Sequence, residues 1–183
     1  IAGGARRLAF WFENAGLTHD DAWRLAERLH ARKTEIMRDL IEDGKVQARP
    51  GVHRLLDELE AGGVPMHVAT TGTRAWVEPL LDRVFGPRFQ IVVTGTEVPD
   101  LKPSPAAYLE VLRRTDCPAG RTVAVEDSQN GVRAAVAAGL LCVAAQNEYT
   151  RDDDLTGAAL IADGFEDPDL VAWFRRRIPH PEG

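Results

Sequence analysis

The sequence has little cysteine and no excess of positive charge. Its two cysteines, Cys117 and Cys142, form neither a disulfide framework nor a zinc-binding spacing, which favours a reducing, cytoplasmic location. The formal net charge is -6 at pH 7, so the chain lacks the basic field typical of nucleic-acid-binding proteins. We therefore expect no nucleic-acid partner.

Long apolar runs and an initiator methionine are also missing. No stretch approaches the roughly 18 apolar residues of a membrane span, so we expect no membrane partner. The chain begins at Ile1 with no signal-peptide pattern, and we expect it to be a processed or truncated product. The hydrophobic content of 44% is that of an ordinary globular protein and excludes a largely disordered chain.

What is present is an alternation of short apolar runs with helical periodicity. Strands are predicted at residues 64–70, 91–94, 122–125, 140–144 and 159–161. Helices are predicted at residues 74–85, 104–114, 130–138 and 167–177, with a further helix that begins after Pro50 and Gly51. This alternation predicts an α/β fold with a parallel sheet.

The first part of the chain has a different rhythm and is predicted to be almost entirely helical. Thr18 and Asp21 form a capping box that opens a helix over residues 20–42. Apolar residues recur at helical spacing on its predicted buried face, namely Leu25, Leu29, Ile36, Leu40 and Ile41. We divide the chain into a helical segment, 1–46, and an α/β segment, 47–183.

Hydroxyl side chains follow the first predicted strand. Ligands bind α/β sheets at the carboxyl ends of the strands, so polar residues there are candidates for function. Thr70, Thr71 and Thr73 lie at the start of a helix together with Arg74, an arrangement that suits a phosphate oxygen. The alternative is an ordinary helix N-cap.

Charged side chains follow the next predicted strands. Lys102, between a loop and two prolines, is suited to neutralise a phosphate, although a solvated loop lysine is the alternative. Glu126 and Asp127 follow a buried strand, and adjacent carboxylates suit Mg²⁺. Ser128 adds a hydroxyl, and the alternative is a turn in which Asp127 or Ser128 caps the next helix. Together these groups predict a phosphate and metal pocket.

The order of these residues resembles the haloacid dehalogenase superfamily of phosphohydrolases. Thr70 corresponds to the second family motif, Lys102 to the third, and Glu126 with Asp127 to the fourth. Residues 126–135 read Glu-Asp-Ser-x-x-Gly-Val-x-Ala-Ala, which is typical of the branch containing β-phosphoglucomutase, phosphoglycolate phosphatase and the CbbY proteins. The resemblance extends over nearly the whole chain and is greatest to the CbbY proteins.

The resemblance implies a Rossmann-like parallel sheet with helices on both faces, covered by a partial helical cap at residues 1–46. It implies Mg²⁺ held by Glu126 and Asp127, a phosphate hydrogen bond from Thr70 and charge neutralisation by Lys102. Arg7, His30 and Lys33 of the cap would reach a second phosphate, although surface cations of this kind are commonly solvated. The implied substrate is a sugar phosphate or bisphosphate, for example a xylulose bisphosphate.

The chain departs from the family at its first motif. No Asp-x-Asp-Gly segment occurs in the sequence, and in the family that motif supplies the nucleophile and the general acid/base on the first, central strand. We therefore expect the α/β segment 47–183 to lack that strand. We therefore expect the complete protein to be a phosphatase and residues 1–183 alone to be inactive. A phosphosugar mutase and a catalytically dead binding protein stay open as alternatives. We expect a monomer or weak dimer.

Overall fold

Helices alternate with short strands over residues 4–178, the part of the chain that the computed structural model describes. The α-helices are α1 (Gly4–Asn14), α2 (His19–Glu42), α3 (Val52–Ala61), α4 (Arg74–Phe85), α5 (Ala106–Thr115), α6 (Gln129–Ala137) and α7 (Pro168–Arg175). The strands are β1 (His67–Ala69), β2 (Ile91–Val93), β3 (Val123–Glu126), β4 (Leu141–Ala145) and β5 (Leu160–Ala162). Residues 1–3 and 179–183, which the predicted segments include, lie outside the described residues.

The strands form two parallel sheets. Strand β1 pairs with β2, and β3, β4 and β5 pair in that order. The predicted α/β class with parallel strands is confirmed. The strands do not form one continuous sheet, because within residues 4–178 no strand pairs with the second edge of β1 or of β3.

The first strand is shorter than the predicted run of 64–70. Val64 N–H donates a hydrogen bond to Leu59 O at 2.9 Å, so this residue completes the end of α3. Pro65 has no N–H with which to join a strand ladder. The predicted capping box at the start of α2 is confirmed in part: the Thr18 hydroxyl accepts a hydrogen bond from Asp21 N at 3.3 Å, but the Asp21 carboxylate accepts from the Thr18 hydroxyl at 2.8 Å and not from its backbone N–H.

Helices cover both faces of the three-stranded sheet. Successive residues of a strand point to opposite faces, so Cys142 and Ala144 of β4 face α6 while Val143 and Ala145 face α3 and α7. The α6 side of the core is built from small residues, which let that helix lie close to the sheet. The opposite side holds larger groups, namely Leu55, Leu170, Trp173 and Phe174.

Helices α1 and α2 pack against each other, and α2 also contacts α4. The predicted buried face of α2 is correct only in part, since Ile41 is 1% exposed but Leu29 and Ile36 are 40% and 44% exposed. Small side chains make the buried contact instead, with Ala9, Ala22 and Ala26 all at 1% exposure or less. The division of the chain at residue 46 stays a prediction.

None of the helices within residues 4–178 combines the length and the apolar character needed to cross a membrane.

In the turn before α3, Gly51 packs closely against the backbone of Phe165, and a substitution can test this contact. Gly51 has φ +82°, and a Cβ atom there would lie 2.5 Å from the backbone carbonyl of Phe165. Gly51→Ala is expected to lower the free energy of unfolding by more than about 1 kcal/mol, because both the backbone angle and the space are incompatible with alanine. Urea denaturation measures the change.

Gly120→Ala is the matched control, because a Cβ at that position meets open space and its φ is not in the left-handed region. Equal free energies of unfolding for the two variants would contradict the packing described here.

Candidate functional site

The Lys102 ammonium joins the carboxyl ends of the two sheets. It donates a hydrogen bond to the carbonyl of Ala69, the last residue of β1, at 2.9 Å. It also pairs with the carboxylate of Glu126, the last residue of β3. Their side chains are 12% and 8% exposed, so this is a buried ion pair. The groups predicted to follow separate strands therefore meet at one positive charge.

Tyr108 and Gly131 complete the surroundings of the Glu126 carboxylate. The Tyr108 hydroxyl from α5 donates a hydrogen bond to the Glu126 carboxylate, and Lys102 Nζ lies 4.8 Å from the Tyr108 ring centroid. Burial, and then the negative charge of Glu126, raise the pKa of Tyr108 well above its ordinary value. A Cβ at Gly131 would lie 1.8 Å from Glu126 Oε2, so only glycine lets the start of α6 approach this carboxylate.

Asp127 has a different environment from its neighbour. Its side chain is 47% exposed, and its Oδ2 accepts a hydrogen bond from Asn147 Nδ2 at 3.0 Å. Arg49 Nη1 lies 4.0 Å from the same oxygen. Burial and the charge of Glu126 raise the pKa of Asp127, although Arg49 and Lys102 oppose this. Within residues 4–178 the Asp127 carboxylate therefore has one side-chain hydrogen-bond donor, and its nearest paired cation lies 4.0 Å away.

Three threonines, Thr70, Thr71 and Thr73, lie in the short turn between β1 and α4. Thr70 Oγ1 accepts a hydrogen bond from Gly72 N at 3.1 Å, which leaves its own hydrogen free to be donated. Thr70 directly follows Ala69, whose carbonyl accepts the hydrogen bond from the Lys102 ammonium. Thr71 is exposed, and Thr73 is the N-cap residue of α4. The Thr73 hydroxyl oxygen is buried and has no hydrogen-bond partner within residues 4–178.

The Arg74 side chain forms ion pairs with acidic residues outside the turn that follows β1. Its guanidinium pairs with Glu78 and Glu97 and donates to Val92 O at 3.2 Å. Burial would raise the pKa of Glu97, but hydrogen bonds from Thr94 and Arg74 lower it to about 2. These contacts tie α4 to the end of β2, and the substrate role of Arg74 stays a prediction.

Ser128 and the three cations predicted for the helical segment lie in different surroundings. Ser128 is the N-cap residue of α6, where its hydroxyl accepts a hydrogen bond from Gly131 N at 3.3 Å. Lys33 reaches the α/β segment, since its ammonium lies 5.8 Å from the Trp76 ring centroid. His30 packs against Gly4, and Arg7 is exposed on α1. Their roles toward a second phosphate stay predictions.

The acid pair, Glu126 and Asp127, suits a divalent cation in its charge and in its oxygen donor atoms. Within residues 4–178 no three His, Cys, Asp or Glu side chains converge into a metal cluster. Mg²⁺ does not need such a cluster, because it commonly binds one or two carboxylates and fills its other positions with water and phosphate oxygens. Asp127 offers a partly exposed carboxylate whose nearest paired cation lies 4.0 Å away, whereas Glu126 is already paired with Lys102.

Three residues of this site were not predicted from the sequence. Asn147 follows β4, and the rule that polar residues follow strand ends would have found it. Tyr108 lies on a helix and carries no such signal. Arg49 meets this region across 96 residues of sequence, through a hydrogen bond to Ala145 O, which no local pattern reveals.

The sequence of this chain is similar to those of known proteins. The family model for haloacid dehalogenase-like hydrolases matches residues 3–139. Protein CbbY of Rhodobacter capsulatus is 38% identical over 181 residues, a match that covers 97% of this chain and 77% of that protein.

Two solved structures are also similar. CbbY from Rhodobacter sphaeroides in complex with phosphate is 36% identical with a TM-score of 0.77, over 90% of this chain and 74% of that one. A mutant of the same protein in complex with xylulose-(1,5)bisphosphate is 36% identical with a TM-score of 0.76, over 89% and 73% of the two chains.

The buried ion pair generates a prediction about stability. Lys102→Met is expected to lower the free energy of unfolding by about 3–5 kcal/mol, because it leaves the buried Glu126 carboxylate without its cation. Adding Glu126→Gln is expected to recover part of this loss. Chemical denaturation of the single and double variants measures both effects.

Lys45→Met is the control for this series. Lys45 pairs with Asp43, and the two side chains are 63% and 56% exposed, so its loss is expected to cost at most about 1 kcal/mol. A similar small loss for Lys102→Met would contradict a buried pair that holds the sheets together.

Proposed function

This chain belongs to the haloacid dehalogenase-like hydrolase family, and on that basis we propose a Mg²⁺-dependent phosphatase function toward a sugar phosphate or sugar bisphosphate. In this proposal residues 1–183 supply the groups that bind the phosphate and the metal. The single observation that carries it is the Lys102 ammonium, which brings the ends of β1 and β3 together beside Thr70 and Asp127.

Thr70 and Lys102 suit a phosphate dianion. The free hydrogen of the Thr70 hydroxyl can be donated to one phosphate oxygen, and Lys102, which is bonded to the carbonyl of the preceding residue Ala69, can supply positive charge. Hydrogen bonds and charge aimed at the phosphoryl group stabilise the charge that it carries during transfer. Thr71 and Thr73 are the further donors that we assign to this turn.

The acid pair is the part of the site that we assign to Mg²⁺. Asp127 would hold the cation directly, because its carboxylate is partly exposed and its nearest paired cation lies 4.0 Å away. Glu126 would add negative charge from its buried position beside Lys102. When bound, Mg²⁺ would polarise the phosphoryl group and neutralise its charge.

The sugar class rests on similarity and on the cap. The structures of similar proteins are complexes with phosphate and with xylulose-(1,5)bisphosphate. The Lys33 ammonium lies 5.8 Å from the Trp76 ring centroid, and the Trp76 ring packs against Gly72, two residues after Thr70. We assign Lys33, with His30 and Arg7, to the part of the substrate farthest from the scissile phosphate.

Residues 1–183 contain no Asp-x-Asp-Gly segment and hence no counterpart of the family's nucleophile. We therefore propose that these residues bind phosphate without hydrolysing a phosphate ester. Removing a nucleophile costs many orders of magnitude in rate, and the remaining groups do not replace it. The same observation favours a second candidate function, ligand binding without turnover.

Phosphate binding tests the proposal directly. Isothermal titration of the 183-residue chain with inorganic phosphate is expected to show binding that requires Mg²⁺. Thr70→Val is expected to weaken it about tenfold, because a hydrogen bond to a charged group is lost. Thr122→Val is the control, since its hydroxyl lies at the opposite end of β3 and donates to Pro118 O.

Phosphate affinity that is independent of Mg²⁺ and unchanged by Thr70→Val would contradict the proposed site. A phosphate-release assay on sugar bisphosphates tests the absence of turnover. Release by residues 1–183 that is lost in Asp127→Asn would overturn the claim that these residues do not hydrolyse esters.

A further inference from the structure

We propose that Asn147 is a positioning residue for Asp127 and that Arg49 holds the backbone that carries Asn147. In this arrangement the Asp127 carboxylate is fixed in one orientation before a divalent cation arrives. The inference rests on the proposed function, because it assigns Asp127 to Mg²⁺.

Both ends of the Asn147 side-chain amide are occupied. Its Nδ2 donates to Asp127 Oδ2 at 3.0 Å, while its Oδ1 accepts a hydrogen bond from Tyr149 N at 2.8 Å. Its backbone N–H donates to Thr150 Oγ1 at 3.2 Å, which closes the turn. Because Oδ1 is held by a backbone N–H, the amide cannot rotate without losing a bond. The donor end therefore faces Asp127.

Arg49 fixes the strand end from which Asn147 projects. Its guanidinium donates to the carbonyls of Ala145 and Gln146, which are the two residues directly before Asn147. The guanidinium also lies over the Phe165 ring, with its carbon 5.0 Å from the ring centroid. A planar group with several donors can bond two successive carbonyls, and a lysine ammonium cannot reproduce that fork.

The Asp127 carboxylate is therefore held at one of its two oxygen atoms. Oδ2 accepts from Asn147 and has Arg49 at 4.0 Å, and within residues 4–178 no other side chain donates a hydrogen bond to Asp127. Oδ1 is consequently the atom that we assign to the cation. Partners that orient a metal ligand commonly contribute 10- to 100-fold, roughly, to metal affinity, since the ligand loses less freedom on binding.

Arg49 also connects this orientation to the segment between α2 and α3. It lies two residues before Gly51, whose close approach to Phe165 fixes the turn. The contacts of Arg49 with Ala145, Gln146 and Phe165 therefore tie the α2–α3 connection to the strand end beside the acid pair.

The test is the dissociation constant of Mn²⁺, a spectroscopic substitute for Mg²⁺, measured by electron paramagnetic resonance on the 183-residue chain. Asn147→Leu keeps the branched shape of the side chain and removes both its donor and its acceptor, so we expect Mn²⁺ affinity to fall about tenfold. Arg49→Lys keeps the charge and removes the two-carbonyl geometry, so we expect a smaller loss in the same direction. Asp127→Asn is expected to abolish saturable binding.

Gln146→Leu is the matched control. It is the neighbouring residue in the same turn, and its side chain donates to Arg151 O instead of Asp127. Its Mn²⁺ affinity is expected to equal that of the unmodified chain. Melting temperatures of the metal-free variants separate a loss of positioning from a loss of folding.

The outcomes separate this inference from the proposed function. Unchanged Mn²⁺ affinity in Asn147→Leu, together with its loss in Asp127→Asn, would overturn the positioning role and leave the metal site standing. Unchanged or tighter Mn²⁺ binding in Arg49→Lys would overturn the role of Arg49. No saturable binding by the unmodified chain, or equal binding by Asp127→Asn, would overturn the proposed metal site and the inference with it.

Discussion

The contact of the Lys102 ammonium with Ala69 O and the Glu126 carboxylate is the constraint on which the site depends. Strands β1 and β3 belong to different sheets, and this charge joins their carboxyl ends. A buried carboxylate requires a cation, and a buried ammonium requires acceptors, so each fixes the other. Tyr108 and Gly131 complete the enclosure of Glu126, one by donating a hydrogen bond and the other by leaving space.

That constraint gives the two adjacent acids different roles. Glu126 points inward to Lys102 and is almost fully buried, whereas Asp127 is partly exposed and its nearest paired cation lies 4.0 Å away. Two carboxylates side by side repel each other, and the pKa of Asp127 is raised by burial and by this repulsion. In the proposed site, a divalent cation bound to Asp127 would offset this repulsion between the two carboxylates.

The sequence was sufficient for features that depend on local pattern. The parallel α/β class, the Thr18 cap and the closeness of Lys102 to Glu126 follow from periodicity and from the ends of strands. It was insufficient for contacts between residues that lie far apart in the chain. The pairing of Arg74 with Glu97 and the bond from Arg49 to Ala145 O join residues far apart in sequence. Helix α2 packs mainly against α1 and α4, and Leu29 and Ile36 stay exposed, which helical periodicity alone does not report.

A crystal structure of the chain with Mn²⁺ and phosphate would show whether the proposed site binds both ligands, because anomalous scattering locates the cation. We expect the cation on Asp127 Oδ1, with the phosphate within hydrogen-bond distance of Thr70 Oγ1 and Lys102 Nζ. Asn147 would keep its contact with Asp127 Oδ2. A cation or phosphate bound away from these residues, with Lys102 and Glu126 still paired, would show that the proposed site is wrong.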